Sequence, residues 1–221
     1  MGNRLSYIQK EPAMALKNTL IKMKSKERED RKNLIIDAAE HVFSTKPFDR
    51  VSMREIATEA GISPSSIYTY FPTQEALFVE ATVRDSCSLI DAVEEIIRDN
   101  ADESMLLEKV IDAFIDYIST HDSYFRMMVV FMTVGSLSRD SMEKLNEVVR
   151  LGLEMFGNVF SRMGYKNDTK ILSHYFFAML NGILVTFRKL EGRPDEAIIA
   201  HMKRVAKIFC GLLMKSISYD K

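Results

Sequence analysis

The chain has 221 residues, a formal net charge of −1 and a hydrophobic fraction of 47%, enough to bury a sizeable core and too balanced in total charge to name a partner. Glycine and proline are scarce, at 9 and 5 residues, which points to an all-α chain. Two cysteines, Cys87 and Cys210, lie far apart in separate helical patterns; this excludes a disulfide framework and fits a reducing, cytoplasmic compartment.

Charge is uneven along the chain. Residues 1–32 carry nine Lys or Arg against four Asp or Glu, so residues 1–26 read as a basic extension that is either solvated or in reach of phosphate. A loose helix is expected from Ala13 to Met23. The opening MGNRLS fits an N-myristoylation pattern at only two constrained positions and is read as chance. No signal peptide is expected, because the N-terminus has no apolar core.

The first regular helix is expected from Lys26 to Ser44, where Ile35, Ala38, Ala39, Val42 and Phe43 form one apolar face. Pro47 ends it. A second, short helix opens at Ser52, where Ser52-Met53-Arg54-Glu55 has the form of a capping box, and stops at Gly61. A third opens with Ser63 as N-cap and Pro64 in the first turn and ends near Phe71-Pro72. Thr73 caps a fourth, long helix from Gln74 to Arg98. Helices are then expected at 102–120, 122–134, 139–164, 168–190 and 195–218, with breaks at His121-Asp122, Gly135-Ser136, Gly164 and Gly192-Arg193-Pro194.

The stretch from Ser52 to Phe71 has specific spacing. Ile56, Ala57, Ile62 and Ile67 share one small core. Two short helices that cross steeply need a small residue at the crossing and a residue tolerant of positive φ in the turn, and Ala57 and Gly61 meet these needs. The outer face of the third helix is rich in hydroxyls: Ser63, Ser65, Ser66, Tyr68, Thr69 and Tyr70. Hydroxyls donate to phosphates and can read base edges in a major groove.

The segment VSMREIATEAGISPSSIYTYFPTQEALFVEAT resembles the TetR family of bacterial regulators. The matching features are Ser52 at the start of the second helix, the Ile56-Ala57-Thr58-Glu59-Ala60-Gly61-Ile62-Ser63 turn, Tyr68-Thr69-Tyr70-Phe71 and the cap Thr73. Carried over by position, the resemblance implies that Ser52, Tyr68, Tyr70 and Thr73 hold phosphates. Ser63, Pro64, Ser65, Ser66 and Thr69 would face bases, with Arg54 assisting. Gln74 stands where the family usually has Lys, and Ser65 where Gly is common. The resemblance covers Glu27 to Thr73. Beyond it only the all-helical layout agrees.

From Met105 to Leu190 there are twelve Phe or Tyr and eight Met. Residue by residue these suit an ordinary core; as a group they suit an adaptable apolar cavity. The candidate lining is Phe114, Tyr117, Phe125, Met128, Phe131, Met132, Met155, Phe156, Tyr175, Phe176 and Met179, with Asn158, His174 and Asn181 as polar handles. A neutral or anionic amphipathic ligand is expected. The run from Tyr175 to Phe187 is apolar but too short to span a bilayer. The last helix carries Ile198, Met202, Val205, Phe209 and Leu212 on one stripe and Ile199, Ala206, Leu213 and Ile217 on another. Helices apolar on both sides call for a partner subunit.

The expected architecture is therefore all-α. A basic extension (1–26) precedes a three-helix helix-turn-helix DNA-binding domain (27–73), and a larger helical bundle (74–221) binds ligand and dimerises through its last two helices. The function expected is a ligand-responsive repressor that leaves a pseudo-palindromic site on double-stranded DNA when a hydrophobic small molecule binds. No cofactor, metal, membrane partner or catalytic residue is expected: His41, His121, His174 and His201 have no metal-ligand spacing, and no catalytic motif appears. The competing readings are a DNA-bound scaffold that recruits a protein, which a sealed core would favour, and an enzyme or lipid carrier of the same fold.

Overall fold

The structure, a computed structural model, describes residues 10–99, 103–133, 137–165, 168–189 and 192–218. Among these it is all-helical, with nine α-helices and one turn of 3-10 helix at Phe48–Arg50. Residues 1–9, with the MGNRLS pattern, the side chains of Lys17 and Ile217, and the expected break at Gly135-Ser136 lie outside the described residues.

The first helix, α1, runs unbroken over Lys10–Thr45, not from Lys26 as expected. Pro12 falls in its first turn, where a missing N–H costs nothing, and no glycine follows. From Asn18 to Leu34 no side chain is buried; Ile35, 1% exposed, is the first. This leading part therefore projects as about 25 Å of solvated helix. With no face to bury it has no apolar period, which is why the sequence pattern looked loose there.

The rear of α1 packs with α2 (Met53–Glu59) and α3 (Pro64–Tyr70) into a small head. Ala39, Ile56, Ala57 and Ile67 are 0% exposed at its centre. The Ser52 hydroxyl accepts from Glu55 N while Glu55 accepts from Ser52 N, the reciprocal box read from the sequence, worth about 1 kcal/mol. Gly61 sits at φ +67, a backbone conformation open to glycine. Ile62 N then reaches back to Ala57 O at 2.9 Å and closes α2. Ser63 caps α3 by accepting from Ser66 N.

A long helix, α4 (Gln74–Asp99), carries the chain from the head into the body. Phe78 near its start packs edge-on against Phe43 of α1, with ring centroids 5.5 Å apart; Leu89 and Val93 lie in the body core. Around it stand α5 (Glu103–Thr120), α6 (Asp122–Thr133), α7 (Arg139–Arg162), α8 (Thr169–Phe187) and α9 (Asp195–Ser218). Gly164 and Gly192, at φ +84 and +78, occupy two of the connections.

Helix α8 ends at Phe187, short of the expected 190. The Arg188 guanidinium there turns back to donate to the carbonyls of Ile118 and Ser119 and pairs with Asp122 at 3.1 Å. By length and composition α8 is apolar enough to cross a membrane, which corrects the reading from the Tyr175–Phe187 run; the helix starts six residues earlier. Here Phe176, Leu180 and Leu184, each 0% exposed, pack it into the bundle.

Candidate nucleic-acid interface and ligand cavity

The turn between α2 and α3 sets which side chains leave the head. Ile67 points into the core at 0% exposure while Tyr68 is 54% exposed. Arg54, Ser63, Pro64, Ser65, Thr69 and Thr73 are also exposed, and so is Ser52. Ser66 and Tyr70 are half-buried. Several hydroxyls already have local work. Ser63 Oγ accepts from Ser66 N at 3.1 Å and lies 2.9 and 2.7 Å from the Ser65 and Ser66 hydroxyls. Thr73 Oγ1 accepts from Ala76 N and caps α4. Tyr70 lies beneath Arg28 of α1, 5.9 Å from guanidinium to ring centroid. Tyr68 and Thr69 face outward near the end of α3.

Gln74 resolves the departure noted at the start of α4. Its Nε2 donates to Phe48 O at 2.8 Å, so the side chain ties α4 to the 3-10 turn instead of pointing to solvent as a lysine would.

Behind α4 lies a cavity of about 310 Å³. Of the expected lining, Phe114, Met128, Phe131, Met132, Met155 and Phe156 face it. The others stand elsewhere. Tyr117 stacks on His121 at 3.9 Å and donates to Asp85 O. Phe125 lies under Arg188, 4.5 Å away, and faces a different cavity. Phe176 is sealed against Phe156 and Phe160. Tyr175 is 47% exposed on the outside of α8, beside Phe209 of α9. Met179 is partly buried against the core without lining the cavity. Asn181 is buried and donates to Phe177 O at 2.8 Å, a bond within its own helix. The shared reason is helix phase. Where apolar residues surround a helix, composition does not say which of them face inward.

The sequence reading missed the α4 wall, Thr82, Ser86, Leu89 and Ile90, and the leading part of the α7 wall, Leu145, Asn146, Val149 and Gly152. The polar end of the cavity is the Ser86 hydroxyl, 3.0 Å from Tyr124 Oη. A more polar groove between α7 and α8 shares Asn146 and Val149 with the cavity and includes Asn158 and His174, along with Arg150 and Lys170.

Another missed contact joins cavity to head. Glu75 Oε1, in the first turn of α4, accepts from Ser138 N at 2.9 Å, Ser138 Oγ at 2.6 Å and Ser141 Oγ at 2.5 Å. These bonds, chiefly the two hydroxyls, hold the Glu75 carboxyl below its usual range. They fasten the start of α7 to the start of α4.

Residues 35–81 match the family model for bacterial regulatory proteins of the tetR family. Residues 35–81 are thus a tetR-family regulatory domain. The chain is 30% identical over 96 residues to the HTH-type transcriptional activator FasR of Mycolicibacterium smegmatis, over 43% of each chain; it thus spans about half the length of such curated relatives. It is 20% identical over 190 residues to the nucleoid occlusion factor SlmA of Shewanella amazonensis, covering 79% of this chain and 92% of that one. Its fold matches the transcriptional regulator FadR of Bacillus subtilis, solved in complex with stearoyl-CoA, with a TM-score of 0.68 at 19% identity over 79% of this chain and 95% of that one. The TetR-like head and the helical bundle behind it are thus a known pairing of folds.

Proposed function

We propose that this chain is a cytoplasmic, homodimeric transcriptional regulator of the TetR family that binds a pseudo-palindromic operator through α3. An apolar or amphipathic small molecule in the cavity behind α4 releases it. The observation that carries this reading is continuity. Thr82 and Ser86 line the cavity from the same helix whose first turn, at Thr73 to Glu75, adjoins α3. Glu75 in turn grips α7, which forms the opposite cavity wall. A ligand that spreads α7 from α4 therefore acts on the head through a packed, hydrogen-bonded path. It shifts operator affinity only by its preference for the spread state, typically about 1–3 kcal/mol.

The proposed nucleic-acid contacts are Tyr68 and Thr69 outward from α3, with Ser65, Arg54 and the start of α4 around them. The basic residues Lys22, Lys24 and Lys26 stand on the projecting part of α1 and would add phosphate contacts. The proposed effector places an apolar tail among Phe114, Phe131, Met132 and Met155 and turns its polar end toward Ser86 and Tyr124 or the adjoining groove. FadR's stearoyl-CoA is a ligand of that build.

Dimerisation is proposed through the outer faces of α8 and α9. Ile171, Tyr175, Ala178, Gly182 and Val185 form an exposed stripe on α8, with Ile208, Phe209 and Leu212 beside it on α9. A Cβ built on Gly182 would meet nothing within 4 Å, which leaves room for a partner helix. Two helices from each protomer would then form a four-helix interface.

The second reading is a DNA-bound scaffold that recruits a protein partner, but a scaffold has no use for an open apolar cavity. The experiment is to select a binding site from random duplex DNA and screen apolar small molecules by thermal shift. Operator affinity is then measured with the best binder at saturation. Loss of affinity supports the proposal; unchanged affinity with every binder supports the scaffold.

A further inference from the structure

A second cavity, of about 410 Å³, lies where the head meets α6, within the size range of small-molecule sites. It shares no lining residue with the cavity behind α4. Phe43, Phe48 and Phe78 form its wall on the head side. Their rings pack against one another at 4.6 to 5.9 Å, and the Gln74 bond to Phe48 O holds the trio in place. Opposite stand Phe125 and Val130 of α6. This wall is therefore rigid before anything binds, which lowers the ordering cost of a ligand.

The polar groups of this cavity are few and asymmetric. Lys46 comes from the head, Arg126 from α6, and Asp49 also lines the site. Lys46 pairs with Glu55, and Asp122 accepts from Arg126 Nε at 2.7 Å. Both cations stay about half exposed, at 48% and 40%. Such surface pairs are worth little, and the Nε bond uses one of the five donors of the guanidinium. A carboxylate can thus be accepted without leaving a buried charge unpaired. Asp49 disfavours a more highly charged anion.

We propose that this cavity is a second ligand site, for an apolar carboxylic acid. The apolar body rests on the Phe43, Phe48 and Phe78 rings, and the carboxylate is drawn by Lys46 and Arg126. Because one cation belongs to the head and the other to α6, the bound acid ties the two together. This goes beyond the effector site behind α4 and does not depend on it.

The test needs no DNA. The methionine methyl groups of the full chain are labelled with carbon-13 and 4-phenylbutyrate is titrated against its uncharged amide. Met127 lines this cavity, while Met132 and Met155 line the other. The acid should shift the Met127 methyl saturably and bind about tenfold more tightly than the amide, as expected for a charge-assisted bond. Arg126→Gln, a surface change, should reduce the acid to the level of the amide, and Val130→Trp should block both. The proposal is overturned if Met127 does not move, if acid and amide bind equally, or if the Met127 shift survives both substitutions.

Discussion

Asp85 offers a sharp test of the packing between head and body. Helix α4 carries it to 8% exposure. Tyr117 bonds its backbone carbonyl, but its carboxylate Oδ2 has no hydrogen-bond partner among the described residues. Burial first, and the nearby Glu40 second, push its pKa from 3.8 up to about 7, against the pull of Arg84 and His121. Folding thus favours the protonated acid. The stability it supports is complete below pH 4, declines as pH rises toward 7, and then levels off. Each pKa unit corresponds to about 1.4 kcal/mol, so the decline between pH 5 and pH 8 is about 3 kcal/mol. Asp85→Asn is neutral throughout and should lack this slope. Urea unfolding at a single protein concentration, at pH 5 and pH 8, measures it. The variant should gain about 3 kcal/mol on wild type between the two pH values. Parallel profiles for the two proteins would mean that Asp85 is solvated or paired, and the described packing of α1, α4 and α5 around it would be wrong.

Other substitutions probe the remaining links. Phe209→Glu is tolerable in a single protomer, where the side chain is 43% exposed, but would bury an unpaired charge in the dimer; light scattering should show monomers, and an intact dimer would remove α9 from the interface. Glu75→Gln keeps the shape but weakens the charge-assisted bonds to Ser138 and Ser141, at about 1 kcal/mol or more. Its effector should still bind, as read by thermal shift, with a reduced effect on operator affinity; an unchanged effect would exclude this route of coupling. Deleting residues 1–25 should flatten the dependence of log K on log salt by about 0.9 per lost phosphate contact, and an unchanged slope would make the projecting helix a bystander.

Most helix ends were legible in the sequence because caps are local chemistry. Ser52, Ser63 and Thr73 satisfy N–H groups within three residues of themselves, and Gly61 marks its turn through its own φ. The head was legible for the same reason. The leading half of α1 was not, since a helix that buries nothing leaves no period. Cavity walls were harder still. Phe131 and Met132 line the cavity behind α4, while Phe125, a turn and a half earlier on the same helix, faces the other cavity. Tyr175 and Asn181 lie on α8, where apolar residues occur on nearly every side. The Glu75 link joins residues 63 and 66 positions apart, and no local pattern announces it. Gln74 looked like a missing phosphate contact, and only its bond to Phe48 gave it a role.

The central claim is that α3 reads DNA. Gel-shift titration of the selected operator, alongside a scrambled duplex, tests it with wild type, Tyr68→Ala and Thr69→Ala. Tyr68→Ala should weaken binding to both duplexes alike, as loss of a phosphate contact does. Thr69→Ala should change preference at one base position by about 1–3 kcal/mol. If both variants bind both duplexes as wild type does, α3 is not the reading helix and the account fails at its base.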